Sequence, residues 1–155
     1  MNDDANGQVH VRDVLATDAP EVARLLAMLG HSTPSDIDEA RLAAYLALGE
    51  RVLVATRSRA MPALPLLGVL TAHVTPVMHR AGPVGRVTAL VVDESARGQG
   101  VGRALVTAAD TLLAERGCML IEITSNKSRA DAHAFYERIG YTATSLRFAK
   151  TIART

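Results

Sequence analysis

The feature that most limits how this chain can fold is a glycine cluster set between a run of β-branched residues and an amphipathic segment. Three of the eleven glycines fall within five residues, at positions 98, 100 and 102. The preceding segment, Gly85–Asp93, reads GRVTALVVD and predicts a buried strand. Apolar residues recur at helical spacing over residues 101–116, and Met119–Thr124 (MLIEIT) predicts the next strand. A strand–helix–strand unit of this kind predicts a parallel strand pair with a right-handed crossover.

The rest of the chain adds short strands and helices around this unit. Two helices are predicted after the first strand, one beginning near Asp18 and ending at Gly30, the other over residues 35–48. Strands are predicted at Val9–Arg12, Arg51–Thr56 and 66–74, a helix at 128–139, and a final strand or hairpin at 140–150. This order predicts an α/β protein (α+β in some schemes) with a mixed sheet, whose hairpin-linked strands are antiparallel. No composition break marks a second domain, so residues 9–155 are expected to form a single domain after a loose tail at residues 1–8.

Composition and charge exclude several classes of protein. With 155 residues, 48% of them apolar and 21% charged, the chain is suited to one ordinary core, and wholesale disorder is excluded. The formal net charge of +1 argues against a dedicated nucleic-acid binder. Cys118 is the only cysteine, which removes a disulfide framework and any multi-cysteine zinc site. With neither a membrane-length apolar run nor a basic-then-apolar leader, the chain is expected to be soluble and cytoplasmic, with no membrane partner.

The glycine cluster also predicts a binding site. Glycines at a strand-to-helix junction let the backbone turn tightly and let a ligand approach the N–H groups, while the helix dipole favours an anion there. Arg97 and Arg103 add positive charge at the two edges, so these residues indicate a phosphate-bearing ligand. The spacing Gly98-x-Gly100-x-Gly102 is neither the dinucleotide fingerprint nor the nucleotide-triphosphate loop. A sharp strand-to-helix corner without a ligand is the alternative interpretation.

The pattern Arg97-x-x-Gly100-x-Gly102, after a strand and at the start of an amphipathic helix, resembles the acyl-CoA signature of the GNAT superfamily of N-acyltransferases. In that family the turn wraps the pyrophosphate of acetyl-CoA with backbone amides, and the preceding strand pairs with the pantetheine arm. The resemblance implies acetyl-CoA as the acyl-donor cosubstrate. It also implies a set of cofactor-binding residues at the strand end and the turn: Val91, Val92, Arg97, Gly98, Gln99, Gly100, Val101, Gly102 and Arg103.

A second cluster lies downstream, where Phe135, Tyr136 and Tyr141 fall within seven residues. On the predicted helix, Arg129, His133 and Tyr136 share one side. Tyr136 fits two interpretations: a packed tyrosine with one hydroxyl partner, or a general acid, since a phenol is a competent proton donor to a departing thiolate.

Asn126 followed by Ala-x-x-Phe-Tyr-x-x-x-Gly-Tyr over residues 132–141 resembles the second conserved block of the same family. The resemblance implies that Tyr136 lies near the CoA sulfur as the general acid and that Asn126 hydrogen-bonds the pantetheine. Arg129 and His133 are weaker candidates for contact with CoA; pairing with nearby groups on the same segment is the alternative for each. The two blocks occur in the expected order, about 25 residues apart.

The sequence is less clear about the general base that must deprotonate the amine. Many GNAT relatives carry a glutamate in the strand before the glycine turn, but the corresponding positions here, Arg86 and Thr88, hold no base. Glu122 on the neighbouring strand is the remaining candidate; an outward carboxylate paired with a lysine or arginine is the alternative. His73 and His79 flank a predicted hairpin and are expected to be solvated.

The leading interpretation is therefore an acetyl-CoA-dependent N-acetyltransferase that acts on a primary amine of a small molecule or a protein, without a metal. The fold implied is a mixed, mostly antiparallel sheet of six to seven strands flanked by about four helices, splayed between the strands at 85–93 and 119–124. A homodimer formed through the last strand is compatible with the family, and His31 is a weak acceptor-binding candidate. A CoA-binding sensor without turnover and a nucleotide-binding regulatory domain are the alternatives.

Overall fold

The computed structural model describes residues 7–30, 37–58 and 65–153. The chain divides into two units, Met1–Ile123 and Thr124–Thr155. His31, the weak acceptor-binding candidate, lies outside the described residues. No helix within the described ranges is long and apolar enough to cross a membrane.

The first unit contains a five-stranded sheet with three α-helices in its described part. The elements are β1 (His10–Asp13), α1 (Ala19–Ala27), α2 (Glu39–Ala47), β2 (Arg51–Thr56), β3 (Gly68–Thr75), β4 (Val84–Val92), α3 (Val101–Glu115) and β5 (Leu120–Ile123). The strands lie in the order β1-β2-β3-β4-β5. The first four pair antiparallel, and β4 and β5 pair parallel with α3 as their connection. The predicted strand–helix–strand unit and the antiparallel hairpins before it are confirmed.

Helices pack on both faces of this sheet. On one face two glycines let α3 approach closely: a Cβ at Gly68 would lie 3.0 Å from a methyl carbon of Leu105, and one at Gly85 would lie 2.8 Å from a methyl carbon of Leu113. Residues that alternate with these glycines point to the opposite face. There, α1 and α2 contribute to an apolar core that includes Val22, Leu25, Leu42, Val52, Val54, Val69 and Val91.

The second unit contains α4 (Ala130–Arg138), and the strand predicted at 140–150 is wrong: residues 141–153 form no strand. The described chain therefore has five strands where six to seven were expected, with four α-helices as expected. Leu146, Phe148 and Ile152 repeat at a spacing that resembles a strand, but they are 66%, 89% and 77% exposed. A strand requires a neighbour for its backbone groups as well as an alternating pattern, and the described chain supplies none here. A homodimer through this segment remains a prediction.

Candidate functional site

The turn between β4 and α3, residues 97–102, has the backbone that its glycines predicted. Gly98 and Gly100 have φ values of 75° and 81°, a left-handed conformation that favours glycine. Gly100 is the N-cap residue of α3, and its carbonyl accepts the Ala104 N–H at 2.9 Å. The residues from Arg97 to Gly100 are exposed, so the inner side of the turn is open to a ligand.

The turn contains a set of backbone N–H groups that are available to a ligand. In the described chain, none of the N–H groups of residues 98–103 donates to a backbone acceptor. Those at the start of α3 also stand at the positive end of a 15-residue helix. Arg103 is exposed and has no ion-pair partner among the described residues, while Arg97 lies 3.9 Å from the carboxylate of Glu94. Amides and cationic side chains of this kind suit a pyrophosphate.

A polar network fixes the turn to α1. The Asp93 carboxylate accepts from the Ser95 hydroxyl at 2.6 Å and from Arg24 at 2.5 Å. These contacts lower the pKa of Asp93 to about 2. Arg24 also donates twice to Glu21, whose carboxylate accepts the Leu66 N–H at 3.0 Å. The carboxylate that follows β4 thus positions the turn, a role that its place in the sequence did not indicate.

The pairing of β4 with β5 ends well before the turn. The β4–β5 ladder covers only Val84–Val87 of β4 and ends at the pair Val87–Ile123. Thr71 pairs with Ala89 and Ala72 with Val87, so Thr88 is an extra residue that forms a β-bulge. Beyond the bulge, the remaining residues of β4 have no strand partner on the β5 side in the described chain. The splay expected between these two strands remains a prediction.

At the end of β4, the side chain and the backbone of Val91 have different surroundings. The side chain of Val91 is 5% exposed and packs in the core with Val69 and Leu25. Only its backbone is therefore free to meet a ligand, as pairing with a pantetheine arm requires. Val92, which follows it, is half-buried.

Glu122, the candidate base, is paired with an arginine. Its Oε2 lies 2.8 Å from Nη2 of Arg86, and the two residues are directly opposite each other in the β4–β5 ladder. This is the pairing that the sequence offered as the alternative to catalysis. Glu122 remains 37% exposed, so it is also accessible to a substrate.

Arg86 and Glu122 continue a line of ionisable groups that crosses three strands and reaches the residue before β2. His73 is the register partner of Arg86, and its Nδ1 lies 3.4 Å from Oε2 of Glu50, which immediately precedes β2. We call Glu50, His73, Arg86 and Glu122 the cross-strand row. Cross-strand partners share a face of the sheet, so the side chains of His73, Arg86 and Glu122 lie on one side. The expectation that His73 is solvated is wrong, since it is 28% exposed and paired.

Polar side chains join this row to the bulge. The Tyr45 hydroxyl donates to Glu50 at 3.1 Å, and it also interacts with the hydroxyls of Thr88 and Thr71. Burial raises the pKa of Tyr45. The hydroxyl oxygens of Thr88 and Thr71 lie 2.7 Å apart. The sequence missed Tyr45 and Glu50 because nothing local reveals them: they meet through the β2–β3 register and the packing of α2.

In the second unit, α4 carries the candidate acid. The ring of Tyr136 packs edge-on against Phe135 and Tyr141, with centroid distances of 5.4 and 6.1 Å. Burial raises the pKa of Tyr136, and the nearby Arg129 charge offsets this only in part. The phenol therefore keeps its proton at neutral pH, which a general acid requires.

Asn126, Arg129 and His133 belong to the start of the same helix. The Asn126 side-chain oxygen accepts from the Ser128 N–H and hydroxyl, both at 3.0 Å. The backbone oxygen of Asn126 accepts the Arg129 N–H and lies 2.9 Å from Nε2 of His133. His133 thus pairs locally, as its alternative interpretation had it. The Asn126 amide nitrogen has no acceptor among the described residues and is free for a ligand carbonyl.

Comparison with known proteins agrees with these features. The chain matches the family model of the acetyltransferase (GNAT) family over residues 31–141. It is 34% identical over 87 residues to the aminoalkylphosphonate N-acetyltransferase of Salmonella typhimurium, a match that spans 56% of this chain and 56% of that protein. The matched part is thus little more than half of the relative's length.

Solved structures show the same fold along almost the whole chain. A transcriptional regulator from Bacillus halodurans C-125 superposes with a TM-score of 0.79 at 24% identity, covering 94% of this chain and 100% of that one. An aminoglycoside acetyltransferase from an uncultured soil metagenomic sample, solved with sisomicin, superposes with a TM-score of 0.78 at 22% identity, covering 94% and 97%. Together with a family model that matches well over half of the residues, these findings establish that the chain belongs to the GNAT family of acetyltransferases, acyltransferases that use acetyl-CoA as the acetyl donor.

Proposed function

We propose that this GNAT enzyme is an N-acetyltransferase that transfers the acetyl group directly to a primary amine of a small molecule or a protein. The observation that carries the proposal is the turn at residues 97–102. Its open N–H groups, at the start of α3 and beside the unpaired part of β4, suit a pyrophosphate with an extended arm. The same arrangement supports the cofactor contacts proposed for this turn and for Arg103, while the contact proposed for Asn126 follows from the family resemblance.

The reaction requires two proton transfers. The amine nitrogen attacks the thioester carbonyl, forms the C–N bond and gives an oxyanion that a β4 amide near Val92 would stabilise. The C–S bond then breaks, and the departing thiolate takes a proton from the Tyr136 hydroxyl. The raised pKa of Tyr136 supports this role because it keeps the phenol protonated until the thiolate forms. The proton lost by the amine goes to a general base.

Two groups in the cross-strand row are candidates for that base. Glu122 is accessible, but one of its carboxylate oxygens is already engaged in the ion pair with Arg86. His73 is the second candidate. If its Nδ1–H donates to Glu50, its Nε2 keeps a lone pair, the arrangement by which a carboxylate orients a basic histidine. We keep Glu122 as the first candidate and name His73 as the group to test against it.

The relatives leave the acceptor open between two kinds of amine. One relative is named for aminoalkylphosphonates, which carry an anionic group, and one neighbouring structure is an aminoglycoside acetyltransferase solved with sisomicin. A small primary amine is common to both.

Calorimetric titration with acetyl-CoA tests the phosphate-turn assignment. Gly100→Trp places a large side chain in the turn, and Gly117→Trp is its matched control at the other end of α3. The two glycines have φ values of 81° and 82°, and a Cβ at either would meet nothing within 4 Å, so the backbone strain of the two variants is alike. We expect Gly100→Trp to weaken binding by at least about tenfold, a change of about 1.4 kcal/mol, and Gly117→Trp to bind like wild type.

Three outcomes separate the possibilities. Equal binding by both variants would overturn the assignment of the turn. Binding of acetyl-CoA without thiol release across a broad panel of amines would favour a sensor without turnover. Binding of ATP or NAD in place of CoA would favour a nucleotide-binding regulatory domain.

A further inference from the structure

A cavity of about 180 Å³ lies on the first unit, where the β3–β4 connection meets the paired part of β4 and β5. Its walls combine two valines, Val77 and the buried Val84, with polar side chains from three segments of the chain. The polar lining residues are Thr75, His79, Arg80, Arg86 and Glu122. The cavity therefore has an apolar part that suits a short alkyl chain and a polar part that is rich in nitrogen donors.

The charges in the cavity favour an anion. Arg80 and Arg86 provide two guanidinium groups against the single carboxylate of Glu122. The Arg80 side chain has no ion pair or hydrogen bond in the part of the chain that the structure describes. Arg86 uses only one of its terminal nitrogens for Glu122, which leaves further N–H groups of its planar fork. Two such guanidinium groups, with the Thr75 hydroxyl, match the several oxygens of a phosphonate, phosphate or carboxylate.

The position of the cavity links this anion site to the reaction. Arg86 and Glu122 form the ladder pair immediately before Val87–Ile123, the last pair between β4 and β5. Glu122, the first candidate for the general base, lines the cavity together with Arg86. A ligand held at Arg80 and Arg86 therefore lies beside that carboxylate, which also gives the cavity one negative charge for an ammonium.

We propose that this cavity binds the anionic end of the acetyl acceptor, and that the acceptor is a short amine carrying a phosphonate, phosphate or carboxylate. The proposal rests on the N-acetyltransferase function proposed above and narrows its substrate class. A polycationic acceptor is disfavoured, because its other ammonium groups would meet Arg80 and Arg86. An amine that carries one anionic group places its anion against Arg80 and its ammonium against Glu122.

The test compares amines that differ in their second group. Thiol release is measured at saturating acetyl-CoA with 2-aminoethylphosphonate, β-alanine, ethanolamine and an aminoglycoside. Arg80→Gln removes the unpaired guanidinium without breaking an ion pair. Arg116→Gln is the matched control, since Arg116 is also exposed, lies at the far end of α3 and does not line the cavity.

We expect wild type to use at least one anionic amine with a kcat/KM at least about tenfold above that of ethanolamine. Arg80→Gln should raise the KM for that amine by about tenfold and leave ethanolamine unchanged, because only the anionic end has lost its partner. The preference between 2-aminoethylphosphonate and β-alanine identifies the anion. Arg116→Gln should behave like wild type with every amine.

Two results would overturn the proposal: a preference for ethanolamine or the aminoglycoside, or an equal effect of Arg80→Gln on all amines. The acetyltransferase function would survive either result. A separate calorimetric titration of 2-aminoethylphosphonate into the CoA-bound protein tests the opposite case, in which the cavity binds the anion but no acetyl group is transferred. Binding that depends on Arg80, without turnover of any amine, would support the cavity and count against acetyl transfer.

Discussion

The buried ion pair between Arg12 and Asp18 is expected to be one of the larger polar contributions to stability. The Asp18 side chain is 4% exposed and accepts from both terminal nitrogens of Arg12, at 2.6 and 3.0 Å. It also accepts the Leu15 N–H at 2.7 Å. The sequence predicted a helix that begins near Asp18, with Thr17 or Asp18 as its cap, but the Asp18 side chain makes no capping hydrogen bond to α1 and joins β1 to the start of the helix instead.

We predict that Asp18→Asn lowers the free energy of unfolding by about 2–3 kcal/mol. Removing one partner of a fully buried pair costs about 3–5 kcal/mol, because the other charge is left without compensation. The cost should be smaller here, since the Arg12 side chain is 28% exposed and can recover part of its hydration. The matched control is Asp13→Asn, which breaks the pair with Arg51. Asp13 is 66% exposed, and exposed pairs contribute about 0–1 kcal/mol.

The Arg12–Asp18 pair also predicts how the difference in stability between wild type and Asp18→Asn depends on pH. Burial acts to raise the pKa of Asp18, but the hydrogen bonds from Arg12 and Leu15 outweigh it and hold the pKa below its ordinary value. A carboxyl with a lowered folded-state pKa contributes stability above its unfolded pKa of about 3.9 and loses it as the pH falls through the folded value. The gap between wild type and Asp18→Asn should thus be constant from pH 7 to about 5 and shrink below about 4.

Urea unfolding followed by far-ultraviolet circular dichroism at pH 7, 5 and 3.5 measures both effects. A loss at pH 7 equal to that of Asp13→Asn, or below about 1 kcal/mol, would refute the reasoning from burial. A gap that is unchanged at pH 3.5 would refute the assignment of a lowered pKa to Asp18.

Three further changes test the site and the packing. Tyr136→Phe should lower kcat by about a hundredfold with little change in the affinity for acetyl-CoA, since only the proton donor is lost; thiol release that falls less than threefold excludes Tyr136 as the acid. Glu122→Gln should remove the acidic limb of the kcat/KM profile if Glu122 is the base, whereas an unchanged profile leaves His73 as the candidate. Gly68→Ala should cost about 1–3 kcal/mol, because its Cβ would lie 2.8 Å from the Val91 carbonyl oxygen. Chemical denaturation measures this cost, and a Gly68→Ala variant as stable as wild type would mean that β3 and β4 can separate at no cost.

Local chemistry made much of this protein predictable from its sequence. Left-handed glycines, the β-branched run over 85–93 and the spacing of apolar residues in α3 act over a few positions, so the strand, the turn and the helix follow from neighbouring residues. The two family motifs are equally local. For that reason the turn and Tyr136 could be proposed as site residues before any fold was known.

The sequence by itself therefore determined most of the elements, the class of sheet and the backbone of the turn, which depend mainly on short-range steric and hydrogen-bonding preferences. Only the tertiary structure decided which distant side chains meet. Glu122 faces Arg86, His73 faces Glu50, and residues 141–153 form no strand. Each of these depends on strand register or on the presence of a neighbouring strand, and a shift of one residue would turn the same side chains to the other face. The anion-binding cavity has the same origin, since its lining residues come from segments that only the folded sheet brings together.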